Sequence, residues 1–345
     1  MKKNFLFKFS AIAMSLILIA CGGSTSEDVV ETETTAIESE ESLNVVVTTP
    51  MLGEFVKQVA GDSVVLDVLM PAEADPHTYD PSPQDAAKIA DADIVLYVGI
   101  KYETSSLLKL IENTASTNAT LLEIGEEIDP IEFKDGEHDH GNHDDHDEDG
   151  HDDHDEEGHE GHEGHDHGSE DPHFWFDPVR VAMAVEVIKD SLVSLDPANT
   201  STYEANADNF ISELTDLDAQ VKELIESVSE DNRKIVTTHE ALGYLEARYG
   251  IEVFATIIPS LSTADEISPS QIADVIDVIE DNNIKVLFVE SEAPSVYAET
   301  VAAEAGITAV TGLYVETLKD GQTYSDFLIS NVTLIVESLN SAGEG

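Results

Sequence analysis

The chain has 345 residues, with 72 acidic against 16 basic side chains, a formal net charge of −56 and one cysteine. That length accommodates two ordinary domains with real cores. The charge excludes nucleic acid, which needs clustered Lys and Arg against phosphate, and excludes charge-driven attachment to an anionic membrane; the single cysteine excludes an internal disulfide and a thiolate metal site.

Residues 1–20 read as a signal peptide. Lys2, Lys3 and Lys8 form a basic start, and the apolar run 10–20 (SAIAMSLILIA) is too short for a comfortable membrane span. The run ends in LIAC followed by two glycines, the pattern of a bacterial lipoprotein signal in which Cys21 takes the lipid. Residues 21–43 are polar and acidic with few large apolar groups, and read as a flexible tether.

The folded body opens on LNVVVTT, a β-branched run typical of a buried strand. A helix at 51–60 stops at Gly61; strands at 63–70, 93–99 and 119–125 then alternate with helices at 84–92 and 105–114. This alternation predicts a parallel α/β lobe over 44–200. It is interrupted at 136–170 by a low-complexity stretch of His, Asp, Glu and Gly that has too little apolar surface to pack. Asp177 and Pro178 then cap and start another helix. The spacing of Phe210, Leu214, Leu217, Val221, Leu224 and Val228 predicts one long helix over 201–229, ~40 Å at ~1.5 Å per residue. A second strand–helix series over 230–345 closes with a helix from about Tyr324. The expected architecture is α/β: two lobes, each a mainly parallel sheet with flanking helices, joined by one long backbone helix, with a cleft between them.

Of the 13 histidines, ten lie in the low-complexity stretch: His138, His140, His143, His146, His151, His154, His159, His162, His165 and His167. Mobile, water-exposed side chains pay ordering entropy on binding, so each of these makes a weak, auxiliary metal site. The other three are His77 in DPHTYDPSP, His173 in DPHFWFDP, and His239, which follows the strand KIVTT and is expected to open the next helix. His77 and His239 fall beyond the carboxyl ends of strands, where open α/β sheets bind ligands. A zinc hydrolase also uses three histidines. HEALG, however, carries Gly243 where the zinc-protease helix needs its second histidine, and no GxSxG elbow is present.

DPHTYDPSP, ADIVLYVGIKYE, DPHFWFDP, IVTTHEALGYLEARYG, SPSQIADVIDVIEDNNIKVLFVES and LYVETL, in this order, resemble the zinc- and manganese-binding lipoproteins of bacterial ABC importers over residues 44–340. The resemblance implies a non-enzymatic, extracytoplasmic monomer. It would be held to membrane lipid through Cys21 and would deliver one metal ion to a permease in the cytoplasmic membrane. It carries the family's ligands onto His77, His173 and His239, with Glu316 of LYVETL or a water in the fourth position. Three neutral imidazoles and one oxygen suit four-coordinate Zn²⁺, whereas manganese prefers more oxygen. The expected cargo is therefore Zn²⁺; a manganese- or iron-binding member of the same family, or a lipid-anchored surface adhesin, is the alternative. The ten-histidine stretch is expected to serve as an antechamber to the three-histidine site.

Overall fold

Over Val45–Val47, β1 (Leu43–Val47) is buried on both faces: Val45 and Val47 point into one apolar cluster and Val46 into another. A strand covered on both sides reads as a continuous β-branched run. In the computed structural model, which describes residues 42–133, 170–265, 267–292 and 296–343, β1 pairs in parallel with β2 (Val64–Val68) and β3 (Ile94–Tyr97), and β3 with β4 (Thr120–Glu123). A second parallel sheet holds β5 (Lys234–His239), β6 (Glu252–Ile258), β7 (Val286–Glu290) and β8 (Thr308–Leu313). The two sheets share one topology, β2-β1-β3-β4 and β6-β5-β7-β8. The order reverses between β1 and β3, and again between β5 and β7. The loops beyond the carboxyl ends of those strands therefore diverge and leave a crevice.

The helices begin where the sequence provides caps. Thr49 accepts from Leu52 N–H at 3.2 Å at the head of α1 (Pro50–Ala60). Ser82 and Asp85 make a capping box on α2 (Pro83–Ala90), and Ser268 and Gln271 do the same for α7 (Pro269–Asp281) in the second half. The remaining helices are α3 (Ser105–Thr114), α4 (Pro178–Leu195), α5 (Thr200–Glu226), α6 (Gly243–Tyr249), α8 (Val296–Ala305) and α9 (Tyr324–Gly343). His239 does not open α6 as expected. It is the last residue of β5, and three residues separate it from the helix.

The long helix α5 packs against α1, α4 and α9, touching elements from both halves of the chain. Its inward stripe is Tyr203, Ala207, Phe210, Leu214, Leu217, Val221 and Ile225. Ile225 takes the place expected for Leu224, and the helix ends three residues before 229. One apolar cluster runs from Val45 in β1 to Leu339 in α9, with a smaller cluster in each half of the chain, and from Ser42 onward the chain is one compact unit. Phe55 of α1 lies near its centre, 5.4 Å from the Tyr324 ring, 6.3 Å from Phe174 and 6.4 Å from Phe210. The signal segment, Cys21, most of the tether and the ten-histidine stretch lie outside the described residues. Among those described, no helix is long and apolar enough to cross a membrane.

Because Phe55 joins α1 to α5, α9 and the segment before α4, Phe55→Ala should destabilise the whole body by about 3–5 kcal/mol. The measurement is a urea unfolding midpoint, and an unchanged midpoint would refute this view of the core.

Candidate metal centre

Three imidazoles and one carboxylate meet at the carboxyl ends of the two sheets. His77 follows β2, His173 precedes α4, His239 ends β5 and Glu316 follows β8. Glu316, His173 and His239 are at most 1 % exposed and His77 is 9 % exposed. One ligand atom from each of the four lies within 4.8 Å of all the others. Glu316 Oε1 is 3.4 Å from His77 Nε2, 3.4 Å from His173 Nε2 and 2.7 Å from His239 Nε2. None of the three Nε2 atoms, nor either Glu316 oxygen, has a hydrogen-bond partner of acceptable geometry. The three nitrogens and the carboxylate thus crowd one spot without pairing there. In a tetrahedron with bonds of ~2.0–2.1 Å, donors sit ~3.3–3.4 Å apart, which two of these separations match.

Each donor is fixed from behind. Both DPH motifs use the aspartate to set the histidine backbone: Asp75 Oδ1 accepts from His77 N–H at 3.0 Å and Asp171 Oδ1 from His173 N–H at 2.8 Å. Asp171 Oδ1 also holds His173 Nδ1 at 2.7 Å, and Glu290, at the end of β7, holds His239 Nδ1 at 2.5 Å. A carboxylate on Nδ1 keeps the proton there in the neutral ring and leaves Nε2 free to bind a cation. Asp75 Oδ2 accepts from Thr263 Oγ1 at 2.7 Å, which ties the His77 loop to the second half of the chain. A Cβ at Gly243 would lie 2.5 Å from Asp171 Oδ2, so a side chain there would push the carboxylate aside. The residue that spoils a zinc-protease reading of HEALG thus makes room for the carboxylate behind His173.

Aromatic rings close the site. Tyr102 lies 5.2 Å from the His77 ring and 5.8 Å from the His173 ring, and Trp175 lies 5.5 Å from His173. Tyr102 follows three consecutive left-handed residues, Gly99, Ile100 and Lys101, with φ of 78°, 52° and 60°. Two of these are not glycine, which marks stored strain. The buried Glu103 carboxylate holds that turn by accepting from Val98 N–H at 2.7 Å, Gly99 N–H at 3.0 Å and Thr48 Oγ1 at 2.7 Å.

The electrostatics follow from burial opposed by charge. Burial alone would lower the His173 pKa, but Glu316 and Asp171 raise it to about 9. His239 goes well above its ordinary value against the same burial penalty, through Glu290 and Glu316. Burial would raise the Glu316 carboxyl, yet His173 and His77 hold it well below the usual carboxylate range. Glu292, close behind Glu316, is pushed up to about 8 by burial and by the Glu316 charge.

All four residues singled out in the sequence come together here. Sequence reasoning passed over Asp75, Asp171, Glu290, Glu292, Tyr102 and Trp175. The repeated DPH motif and the acid ending the strand VLFVE were the available signals.

A buried, convergent set of three imidazoles and one carboxylate at the carboxyl ends of two parallel sheets can hold a metal ion, an arrangement that suits a metal-specific substrate-binding protein of an ABC importer. The chain belongs to the family of the zinc-uptake complex component A periplasmic proteins, whose family model matches residues 45–338. Among its relatives, the manganese-binding lipoprotein MntA of Halalkalibacterium halodurans is 26 % identical, covering 98 % of this chain and 99 % of its own. The high-affinity zinc uptake system protein ZnuA of Bacillus subtilis is 29 % identical, covering 98 % and 99 %. The zinc-binding lipoprotein AdcA of Streptococcus pneumoniae is 32 % identical over 99 % of this chain, which spans 62 % of that longer protein. The fold matches the periplasmic zinc-binding protein TroA of Treponema pallidum, with a TM-score of 0.70, 23 % identity and coverage of 86 % of this chain and 98 % of that one.

Neighbouring carboxylates raise His173 to about 9 and His239 well above its ordinary value, so protons are favoured on both rings in the metal-free protein and a divalent ion must displace them. Ion binding at pH 7 should therefore release protons, and affinity should climb with pH by up to about tenfold per unit for each displaced proton until the rings are neutral. The same shifts act on folding. A raised histidine pKa stabilises the fold fully below ~6.5 and ceases to do so as pH rises through the folded value, so the metal-free protein should lose stability between pH 6.5 and about 9. Calorimetry in buffers of different ionisation enthalpy and a thermal melt series check both; zero proton release would contradict the assignment.

Proposed function

We propose that the protein captures Zn²⁺ outside the cytoplasm through His77, His173, His239 and Glu316 and hands it to a membrane permease. The observation that carries this reading is the convergence of three buried, unpartnered Nε2 atoms on one carboxylate. Named relatives divide between zinc and manganese, so the choice of ion rests on the donors. Three nitrogens and one oxygen favour zinc, whereas manganese sites are richer in oxygen. Attachment to lipid through Cys21 is supported by the signal sequence and by relatives that are lipoproteins.

The ten-histidine stretch is proposed as a capture segment and not as the site. Its two ends are pinned together: Glu132 and Glu170 form an antiparallel bridge, and Asp171 N–H donates to Ile131 O at 3.0 Å. A segment that leaves and returns at one point can be shortened at small cost in loop entropy. A dense acidic segment whose described ends meet next to Asp171 would raise the local cation concentration, an effect that salt suppresses.

Zinc-limited growth of cells lacking the protein should be restored by the chain itself, and manganese-limited growth should be unaffected. His77→Ala, His173→Ala or His239→Ala should each abolish rescue and weaken Zn²⁺ binding by at least about 100-fold. Rescue confined to manganese limitation would overturn the choice of ion. Deleting 136–168 should slow Zn²⁺ association while leaving the tight equilibrium constant within about threefold, roughly 0.7 kcal/mol. A hundredfold loss would place a ligand in the deleted segment.

A further inference from the structure

Glu316 comes from neither a strand nor a helix. It sits between β8 and α9, where the backbone polar groups of 314–317 are met by side chains from other elements. Asn331 of α9 accepts from Tyr314 N–H at 3.0 Å and donates to Tyr314 O at 2.7 Å. The Trp175 indole donates to Val315 O at 2.7 Å, and the Tyr102 hydroxyl donates to Glu316 O at 2.9 Å. The three successive amides of Val315, Glu316 and Thr317 all donate to one carboxylate oxygen, Glu292 Oε1, at 3.1, 3.1 and 3.3 Å. Successive N–H groups aimed at one point form an anion-binding concavity, and here the anion-type acceptor is part of the chain.

We infer that Glu292 is a positioning residue for the metal ion: it sets the backbone turn from which Glu316 reaches the three imidazoles, without touching the ion itself. This rests on the proposal that Glu316 is a ligand. A glutamate arm has one more rotatable bond than an aspartate, so its placement depends on a fixed backbone. Without Glu292 the three amides lose their acceptor in a largely buried place, and the turn must reorganise to find others. The end of β7 then serves two of the four donors. Glu290 orients His239 through Nδ1 and the backbone N–H, and Glu292, two residues on, orients Glu316.

The test measures Zn²⁺ affinity of the full chain by chelator competition, with the visible spectrum of bound Co²⁺ reporting coordination. Glu292→Gln keeps an oxygen at the same reach and should bind within about threefold of the parent, because an amide oxygen accepts the same three N–H bonds. Glu292→Asp keeps the carboxyl group but withdraws the acceptor by one methylene; it should weaken binding about 10–100-fold, the usual effect of losing an outer-shell partner, and change the Co²⁺ bands. The reverse pattern, Asp like the parent and Gln weak, would mean that the acid group matters and its reach does not, and would overturn the inference. Glu292→Ala should weaken binding alone but add nothing to Glu316→Ala, since it acts through that side chain. Additive losses would also overturn it. If Glu316→Ala weakens binding while Glu292→Asp and Glu292→Ala do not, only the positioning role fails. If Glu316→Ala leaves affinity unchanged, the ligand assignment fails and takes this inference with it.

Discussion

A carboxylate and three imidazole nitrogens, shut away from water with no hydrogen-bond partners, form an arrangement that a protein does not keep without a cation among them. Each such group left unpaired carries a desolvation cost, and a buried charge carries the most. In the metal-free state protons fill the role: the carboxylates raise His173 and His239 above the ordinary histidine range, and the histidines hold Glu316 below the usual carboxylate range. A divalent ion replaces several partial compensations with one. Much of the surrounding structure serves to hold these four groups at this distance against their tendency to pair with something else.

The fold answers that need by taking donors from both sheets while refusing to be two bodies. Each sheet alone brings its loops to a crevice at the strand-order reversal, but neither supplies all four donors. The loops are cross-tied instead: Asp75 to Thr263, Tyr102 to the Glu316 carbonyl, Trp175 to the Val315 carbonyl. The Tyr324 hydroxyl donates to Trp175 O at 2.8 Å, which ties α9 to the same segment. Beneath them one core spans both halves, with α5 packed along elements of each. A junction built this way holds ligand separations fixed without a covalent tie.

The alternation of strands and helices, the long apolar stripe of α5 and the three isolated histidines could all be read from the sequence, because each is a local pattern with a fixed period or a conspicuous residue. What could not be read depends on contacts between distant segments. The α5 stripe closes on Ile225 and not Leu224; both are helical spacings from Val221, and only tertiary packing chooses between them. His239 stays in β5 because Glu290, 51 residues away in the chain, receives its backbone N–H. The carboxylates behind the histidines were hidden among 72 acids. Composition made every one of them look like solvated surface.

Those hidden carboxylates also bear on ion choice. Asp171 and Glu290 bring two negative charges close to the centre, yet each is engaged with a histidine Nδ1 and so presents its charge through the ring instead of offering an oxygen to the ion. Glu292 is likewise engaged with backbone amides. The surroundings therefore attract a cation strongly while the donor set stays rich in nitrogen. Had any of the three reached the centre directly, the site would gain oxygen ligands and move toward the preferences of manganese. On the proposed reading, selectivity comes less from the histidines, which several metals accept, than from second-layer acids that are held just out of reach of the ion.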